Sequence, residues 1–134
     1  MTDRDLRDED YRTLADFRHQ LRRFLRFSEN AAKARGLTPQ QYQALLAIRA
    51  VPDGEMTVGL LAERLLVRAH SATELIDRLE RQGLASRHAA PQDGRQVRVR
   101  LTPDASQLLA SLAGSHRDEI HRLAPLLRDL LDRL

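Results

Sequence analysis

The chain has 134 residues, of which 42% are hydrophobic and 31% charged, and its formal net charge is +3. This composition is typical of one globular domain and not of a disordered tail, and the absence of cysteine excludes disulfides, thiolate metal sites and cysteine nucleophiles. No apolar run approaches the roughly 20 residues of a membrane span and no signal-peptide pattern opens the chain, so we expect a cytoplasmic protein without a membrane partner.

The first two predicted elements are helices. An apolar repeat at helical spacing predicts one long helix over residues 8–34, which Gly36 would terminate as a C-terminal cap. The stretch TPQQ (38–41) combines an N-cap threonine, a first-turn proline and a glutamine that closes a capping box. A second helix therefore begins there, and the turn VPDG (51–54) ends it.

Two short helices follow across a brief turn. Thr57 is placed to cap a third helix over about residues 58–66, and an apolar stripe predicts a fourth helix that ends at Gly83. The stripe, at positions i, i+3, i+4 and i+7, consists of Ala72, Leu75, Ile76 and Leu79. Two short helices joined by a turn of three or four residues are the arrangement of a helix-turn-helix motif.

The periodicity changes from helical to alternating after the fourth helix. Residues 84–88 are a predicted strand, and a second strand follows the loop 90–95. In that second strand the apolar residues Val97, Val99 and Leu101 alternate with the polar residues Gln96, Arg98 and Arg100. We expect the apolar face of this hairpin to pack on the helices and its arginine face to meet solvent or a polyanion.

The C-terminal region is predicted to form two helices. Thr102-Pro103 begins one that we expect to end near residue 122, and Ala124-Pro125 begins a last one. Large apolar residues near both ends of the chain outnumber what a small lobe can cover, which predicts a homodimer. They are Leu6, Leu14, Phe17 and Leu21 at one end and Ile120, Leu123, Leu127, Leu130, Leu131 and Leu134 at the other.

A helix-turn-helix followed by a basic hairpin is the winged-helix arrangement, with a recognition helix for the major groove and a wing for the minor groove or the backbone. Residues 81–100 contain five arginines and one aspartate, an excess of four positive charges. We therefore expect Arg95, at the tip of the wing, to enter the minor groove or to contact phosphate. The predicted fold is mainly α with a small β-hairpin wing.

The exposed face of the fourth helix is the predicted base-reading surface. We expect His70, Ser71 and Thr73 to reach base edges, although the two hydroxyls would also suit phosphates. Glu74 has two alternatives, which are to accept a hydrogen bond from a cytosine amino group or to pair with Arg78 four residues later. All predicted DNA contacts are Thr57, Arg68, His70, Ser71, Thr73, Glu74, Arg78, Arg87, Asp93, Arg95 and Arg98.

The segment LAERLLVRAHSATELIDRLERQGLASRHAAPQDGRQVRVRLTPDA, residues 61–105, resembles the MarR family of winged helix-turn-helix transcriptional regulators. The likeness lies in the order of the helix, the recognition helix ending in LIDRLERQGL, the Asp-x-Arg of the wing and the closing Leu-Thr. The chain departs from the family pattern at Leu66 and Arg68, where small residues are frequent, and at Glu74, where basic or small polar residues are frequent.

The resemblance implies how such a protein works. It implies a homodimer, usually a repressor, in which each protomer binds half of a palindromic operator and Asp93 braces Arg95. It divides the single domain, residues 1–134, into a winged helix-turn-helix lobe (37–102) and dimerisation helices (6–35 and 103–134). It also implies a small effector, often phenolic, that binds between the dimerisation helices and the lobe.

The effector expected from the sequence is a small aromatic or anionic molecule of unknown identity. Arg18 or Arg22 would hold it, with apolar walls from Phe17 and Tyr42.

No cofactor or metal site is predicted. His116 and His121 lie five residues apart, about 140° around a helix, and so do not chelate one ion from one face. A site built across helices, with Glu119 as a further ligand, is the alternative.

Catalysis is not expected, because the chain has no nucleophile elbow, P-loop or dinucleotide fingerprint. A winged-helix module that binds another protein without reading DNA sequence is the alternative function. The salt dependence of binding distinguishes DNA binding from protein binding, because binding to phosphates through several arginines weakens steeply as the salt concentration rises.

Overall fold

Helices dominate the fold in the computed structural model, which describes residues 5–90 and 96–134. Within these residues the elements are α1 (Asp8–Ala34), α2 (Pro39–Ala50), β1 (Met56–Thr57), α3 (Val58–Leu65), α4 (Ala69–Arg81), β2 (Ala85–Ala89), β3 (Val97–Leu101) and α5 (Pro103–Asp132). The predicted class, mainly α with a small wing, is confirmed. No helix in the described ranges is both long and apolar enough to cross a membrane.

Local capping fixes where the first two helices meet. Gly36 has a φ of +75°, a left-handed conformation that glycine adopts without strain, and it follows the last residues of α1. At the start of α2 the predicted capping box is present: Gln41 N donates to Thr38 Oγ1 at 3.1 Å, and Thr38 N donates to Gln41 Oε1 at 3.0 Å. The predicted bounds of both helices are confirmed.

The predicted hairpin is present as β2 and β3, and β1, which the sequence did not predict, adds an edge strand, so the wing is a three-stranded antiparallel sheet in the order β1-β3-β2. Met56 pairs with Val99 and Thr57 pairs with Arg98, so the segment before α3 forms an edge strand. Two residues are too short for an alternating pattern to emerge. The pairing buries the Met56 and Val99 side chains almost completely and ties the wing to the helix-turn-helix.

The C-terminal region is one helix, and the prediction of a break near residues 122–125 is wrong. Pro125 lies inside the continuous helix α5. A proline in a helix interior removes one backbone hydrogen bond and disfavours the structure by about 3 kcal/mol. Packing outweighs this cost because a continuous helix keeps Leu123, Leu127 and the buried Leu130 on one side, against the rest of the protein.

A single apolar core joins all the elements of the lobe to α5. The buried stripe predicted for α4 is confirmed, and α4 packs against α2, α3 and β2. The core includes Leu45 and Ile48 of α2, Leu61 of α3, Leu75, Ile76 and Leu79 of α4, and Leu109 and Leu112 of α5. This packing fixes α4 so that its opposite face points outward.

The turn between α3 and α4 contains a strained residue. Leu66 has φ 57° and ψ 42°, the left-handed conformation, and its side chain is 92% exposed. Non-glycine residues adopt this conformation at a cost of roughly 1–2 kcal/mol. Because the Leu66 side chain is exposed, its burial offsets little of this cost.

Leu66→Gly is therefore expected to raise the free energy of unfolding by about 0.5–1 kcal/mol, less than the full strain because glycine is more flexible in the unfolded chain. Urea unfolding measures it. Leu66→Ala is the matched control: it removes the exposed side chain but keeps Cβ, so it should not reproduce the gain. An equal gain from both variants would contradict the strain argument.

Candidate nucleic-acid interface

The helix-turn-helix presents one polar face to solvent. The turn after α3 closes with Val67 N donating to the carbonyl of Ala62 at 3.0 Å, and α4 then begins at Ala69. The buried stripe anchors one side of α4 in the core. The exposed side carries His70, Ser71, Glu74, Arg78 and Arg81.

Three of these residues form the outermost line of α4, opposite the buried stripe. With about 100° between successive residues, His70, Glu74 and Arg81 fall within about 40° of one another around the helix. His70 Nε2 lies 3.1 Å from Glu74 Oε1, with side-chain exposures of 83% and 57%. The alternative in which Glu74 pairs with Arg78 is therefore wrong for this structure, because its carboxylate contacts His70 one turn earlier.

The remaining predicted residues at the start of α4 differ in availability. Ser71 is exposed, whereas Thr73 is half-buried and its Oγ1 donates to the carbonyl of Ala69 at 3.0 Å. Arg68 is the N-cap residue, is exposed and makes no side-chain cap bond. The structure thus leaves Arg68 and Ser71 open to a partner, while the Thr73 hydroxyl already has an intramolecular acceptor.

Arg87 of β2 binds α4 rather than projecting outward. Its Nη2 donates to Asp77 Oδ1 at 2.7 Å, and its Nη1 donates to Glu80 Oε1. Partial burial alone would lower the pKa of Arg87, but the hydrogen bonds and Coulombic attraction of Asp77 and Glu80 outweigh it and raise the pKa. We name this contact the Arg87 clamp; it joins the wing to the C-terminal half of α4.

The arginines of β3 also turn back onto the protein. Arg98 donates through Nη1 to the carbonyl of Glu55 at 3.2 Å and through Nη2 to Gln96 Oε1 at 2.9 Å. Arg100 Nε lies 3.6 Å from Asp53 Oδ1. Both residues are half-buried beside the loop before β1, so the arginine face of the hairpin is only partly open to solvent in this part of the wing.

Thr57 has a structural role as well. Its Oγ1 accepts a hydrogen bond from Leu60 N at 3.1 Å, which makes it the predicted N-cap of α3. The other two predicted wing residues, Asp93 and Arg95, lie outside the described residues.

Two features of the interface fall outside the sequence-based predictions. Asp77 and Glu80 bind Arg87 in the clamp. Their three-residue spacing on α4, shortly before the hairpin, was the sequence signal from which this ion pair could have been predicted. Arg81 shares the outermost line with His70, and its helical angle was enough to find it.

An aromatic cluster lies where α1, α2 and α5 meet. The His116 ring stacks on Tyr42 with centroids 4.4 Å apart, and the rings of Phe24 and Phe27 approach it edge-on. His116 Nδ1 is 2.8 Å from the Leu112 carbonyl and Nε2 is 2.9 Å from the hydroxyl of Ser28. Burial raises the pKa of Tyr42. Both histidine nitrogens are thus engaged inside the protein.

The predicted effector residues lie on α1 and α2. The Tyr42 ring packs on His116, and Phe17 precedes Phe24 by two turns of α1, about 10 Å along the axis. Arg18 and Arg22 are exposed on α1. A cavity of about 30 Å³ lies between α1 and α5, lined by Gln20, Arg23, Phe24, Glu119, Arg122, Leu123 and Leu126.

Metal coordination across helices has no cluster to support it in the described part of the chain. There, no three histidine, aspartate or glutamate side chains come together as metal ligands would. Glu119 binds Arg122 instead.

Comparisons with known proteins agree with this architecture. A family model described as MarR family matches residues 35–96. The transcriptional regulator ML2140 of Mycobacterium leprae is 31% identical, over 76% of this chain and 85% of its own length. The regulator YsmB of Bacillus subtilis is 32% identical over 54% of this chain, and the match spans about half (49%) of YsmB.

One solved structure has the same fold and contains DNA. The F27L mutant of MepR from S. aureus, bound to an oligodeoxyribonucleotide, superposes with a TM-score of 0.70 and 20% identity. The similarity covers 81% of this chain and 79% of MepR.

Proposed function

Because the chain belongs to the MarR family of transcriptional regulators, we propose that it represses transcription by binding a palindromic operator as a homodimer and that a small effector releases it. The observation that carries the proposal is the polar face of α4, fixed outward by the core and braced by the Arg87 clamp. A rigid helix with polar side chains on one face suits base edges in the major groove.

Duplex DNA is the partner that fits the charge distribution. Exposed Arg68, Arg78 and Arg81 flank the base-reading part of α4 and are positioned to contact phosphates on either side of it. The sequence places Arg95 at the wing tip, where a minor groove or a phosphate would meet it. The DNA-bound state of MepR supports the same partner for a chain of the same fold.

Apolar surface supports the homodimer. Leu14, Leu21 and Leu25 form one exposed stripe on α1, and Ile120 and Leu131 are exposed on α5. An apolar surface of this extent on adjacent helices is typical of a subunit interface. Twofold symmetry would then present two copies of α4 to half-sites about 34–36 Å apart, which is one turn of DNA.

The deciding experiment compares the full chain with two variants on operator and scrambled duplexes at several salt concentrations. The operator is first obtained by selection from random DNA. Arg95→Ala should weaken binding to both duplexes by a similar factor and reduce the salt slope by about one phosphate equivalent per wing. Ser71→Ala should cost more on the operator than on scrambled DNA, by roughly 1–3 kcal/mol per lost base contact.

Unchanged affinities and salt slope for Arg95→Ala would show that the hairpin is not a DNA-binding wing. Binding without salt dependence would instead favour a protein-interaction module. The same titrations repeated with a panel of aromatic acids test release: at least one acid should lower operator affinity, and a panel without effect would remove the effector from the proposal.

A further inference from the structure

A carboxylate occupies the centre of the surface that the proposed function assigns to DNA. Glu74 lies on the outermost line of α4, one turn after His70 and one turn before Arg78. A carboxylate repels DNA phosphates, so at this position we expect Glu74 to face a hydrogen-bond donor on a base. We infer that Glu74, positioned by His70, selects a C·G base pair in each half-site; this inference rests on the proposed function.

The environment of Glu74 leaves its charge available. The side chain is 57% exposed, and its contact is with His70 rather than with either neighbouring arginine of the helix. His70 Nε2 lies 3.1 Å from Glu74 Oε1, so the imidazole ring is in close contact with one of the two carboxylate oxygens. One oxygen, Oε1, is thereby engaged, and the second oxygen is left for a base.

Base chemistry decides which base that is. An ionised carboxylate only accepts hydrogen bonds, and in the major groove the donors are the N4 amino group of cytosine and the N6 amino group of adenine. Adenine also presents N7, an acceptor beside N6, which would face the carboxylate unfavourably. Cytosine presents no second acceptor at its major-groove edge, whereas guanine and thymine present acceptors that the carboxylate repels. Cytosine is therefore the preferred base.

His70 acts as a positioning residue. Its side chain is 83% exposed, and its 3.1 Å contact with the Glu74 carboxylate restricts the rotation of that carboxylate on the helix surface. Without that contact the carboxylate would still be negative but would point in several directions. His70 thus controls how sharply cytosine is selected, while Glu74 controls which base is selected.

Selection of bound sites from random duplex DNA, with the unchanged chain and with Glu74→Gln, tests the assignment. The unchanged chain should enrich one C·G pair in each half-site. With Glu74→Gln the same position should change to A·T, because a glutamine amide makes paired hydrogen bonds to adenine N6 and N7. In direct titrations, the preference for C·G over A·T at that position should fall at least about fivefold.

The matched control is Glu63→Gln, which makes the same charge change at an exposed position on α3. It should leave the enriched sequence unchanged. His70→Ala should reduce the discrimination at the same base pair without a shift to A·T, an outcome that simple loss of stability would not produce.

A cytosine analogue without the N4 amino group supplies the second measurement. It should weaken binding of the unchanged chain by at least about fivefold and leave the Glu74→Gln variant almost unaffected, the coupling that a double-mutant cycle detects. If the two chains enrich the same base at every position, the assignment of Glu74 is overturned while the proposed function stands. If the unchanged chain enriches no sequence at all, both are overturned.

Discussion

The double variant Leu25→Asp and Leu131→Asp is expected to be monomeric and to bind the operator at least about 100-fold more weakly than the unchanged chain. Both side chains are more than half exposed, at 59% and 55%, so their replacement costs little in the protomer's own core. In the proposed dimer they lie in the apolar interface, where four buried carboxylates would be desolvated without partners. A monomer engages one half-site and loses the gain of simultaneous binding.

Sedimentation at micromolar concentration and operator titration measure the two effects. Leu46→Asp is the control, since Leu46 is 43% exposed on the side of α2 that faces Arg64 and Leu65 of α3. It should leave the mass and the operator affinity unchanged. A double variant that still sediments as a dimer would place the interface elsewhere, and an unchanged chain that sediments as a monomer would remove the dimer from the proposal.

Loss of the Arg87 clamp is the second large effect. Arg87→Met keeps most of the apolar stem but leaves Asp77 and Glu80 facing each other without a cation. The Arg87 side chain is 28% exposed, between the fully exposed and the buried case, so we expect the free energy of unfolding to fall by about 1–3 kcal/mol. Operator affinity should also fall, because the wing and α4 would no longer be held in one arrangement.

Chemical denaturation and operator titration of the same protein samples measure both effects. Arg64→Met is the control, because Arg64 is exposed on α3 and is in no ion pair within the described residues. It should change the unfolding free energy by less than about 0.5 kcal/mol. Arg87→Lys should recover only part of the stability, since an ammonium group does not bind two carboxylates as a guanidinium fork does. Unchanged stability in Arg87→Met would contradict the clamp.

The elements predicted correctly are those that local chemistry determines. The capping box at Thr38 and the apolar stripe of α4 depend on residues within one or two turns, and the structure has both. The edge strand at Met56 escaped prediction because two residues carry no period, and its pairing with Val99 joins segments 43 positions apart. Pro125 misled the prediction because packing along α5 overrides a local preference.

The candidate site shows the same division. The outward face of α4 follows from helical periodicity, so His70, Ser71 and Glu74 could be placed there from the sequence. The partners of Arg87 and Arg98 could not, because exposed arginines have many sterically allowed acceptors and the tertiary fold selects among them. Charge counting therefore overstated how many wing arginines face outward.

Pro125 also removes one bond from the hydrogen-bond ladder of α5. It has no amide hydrogen to offer the carbonyl of His121, so we expect the last two turns, residues 126–132, to open more readily than the rest of the helix. Their order depends on side-chain contacts more than on continuity with the rest of the helix. The exposed leucines of these last two turns belong to the proposed interface. The same free energy would therefore oppose both local unfolding at the C-terminal end and subunit exchange.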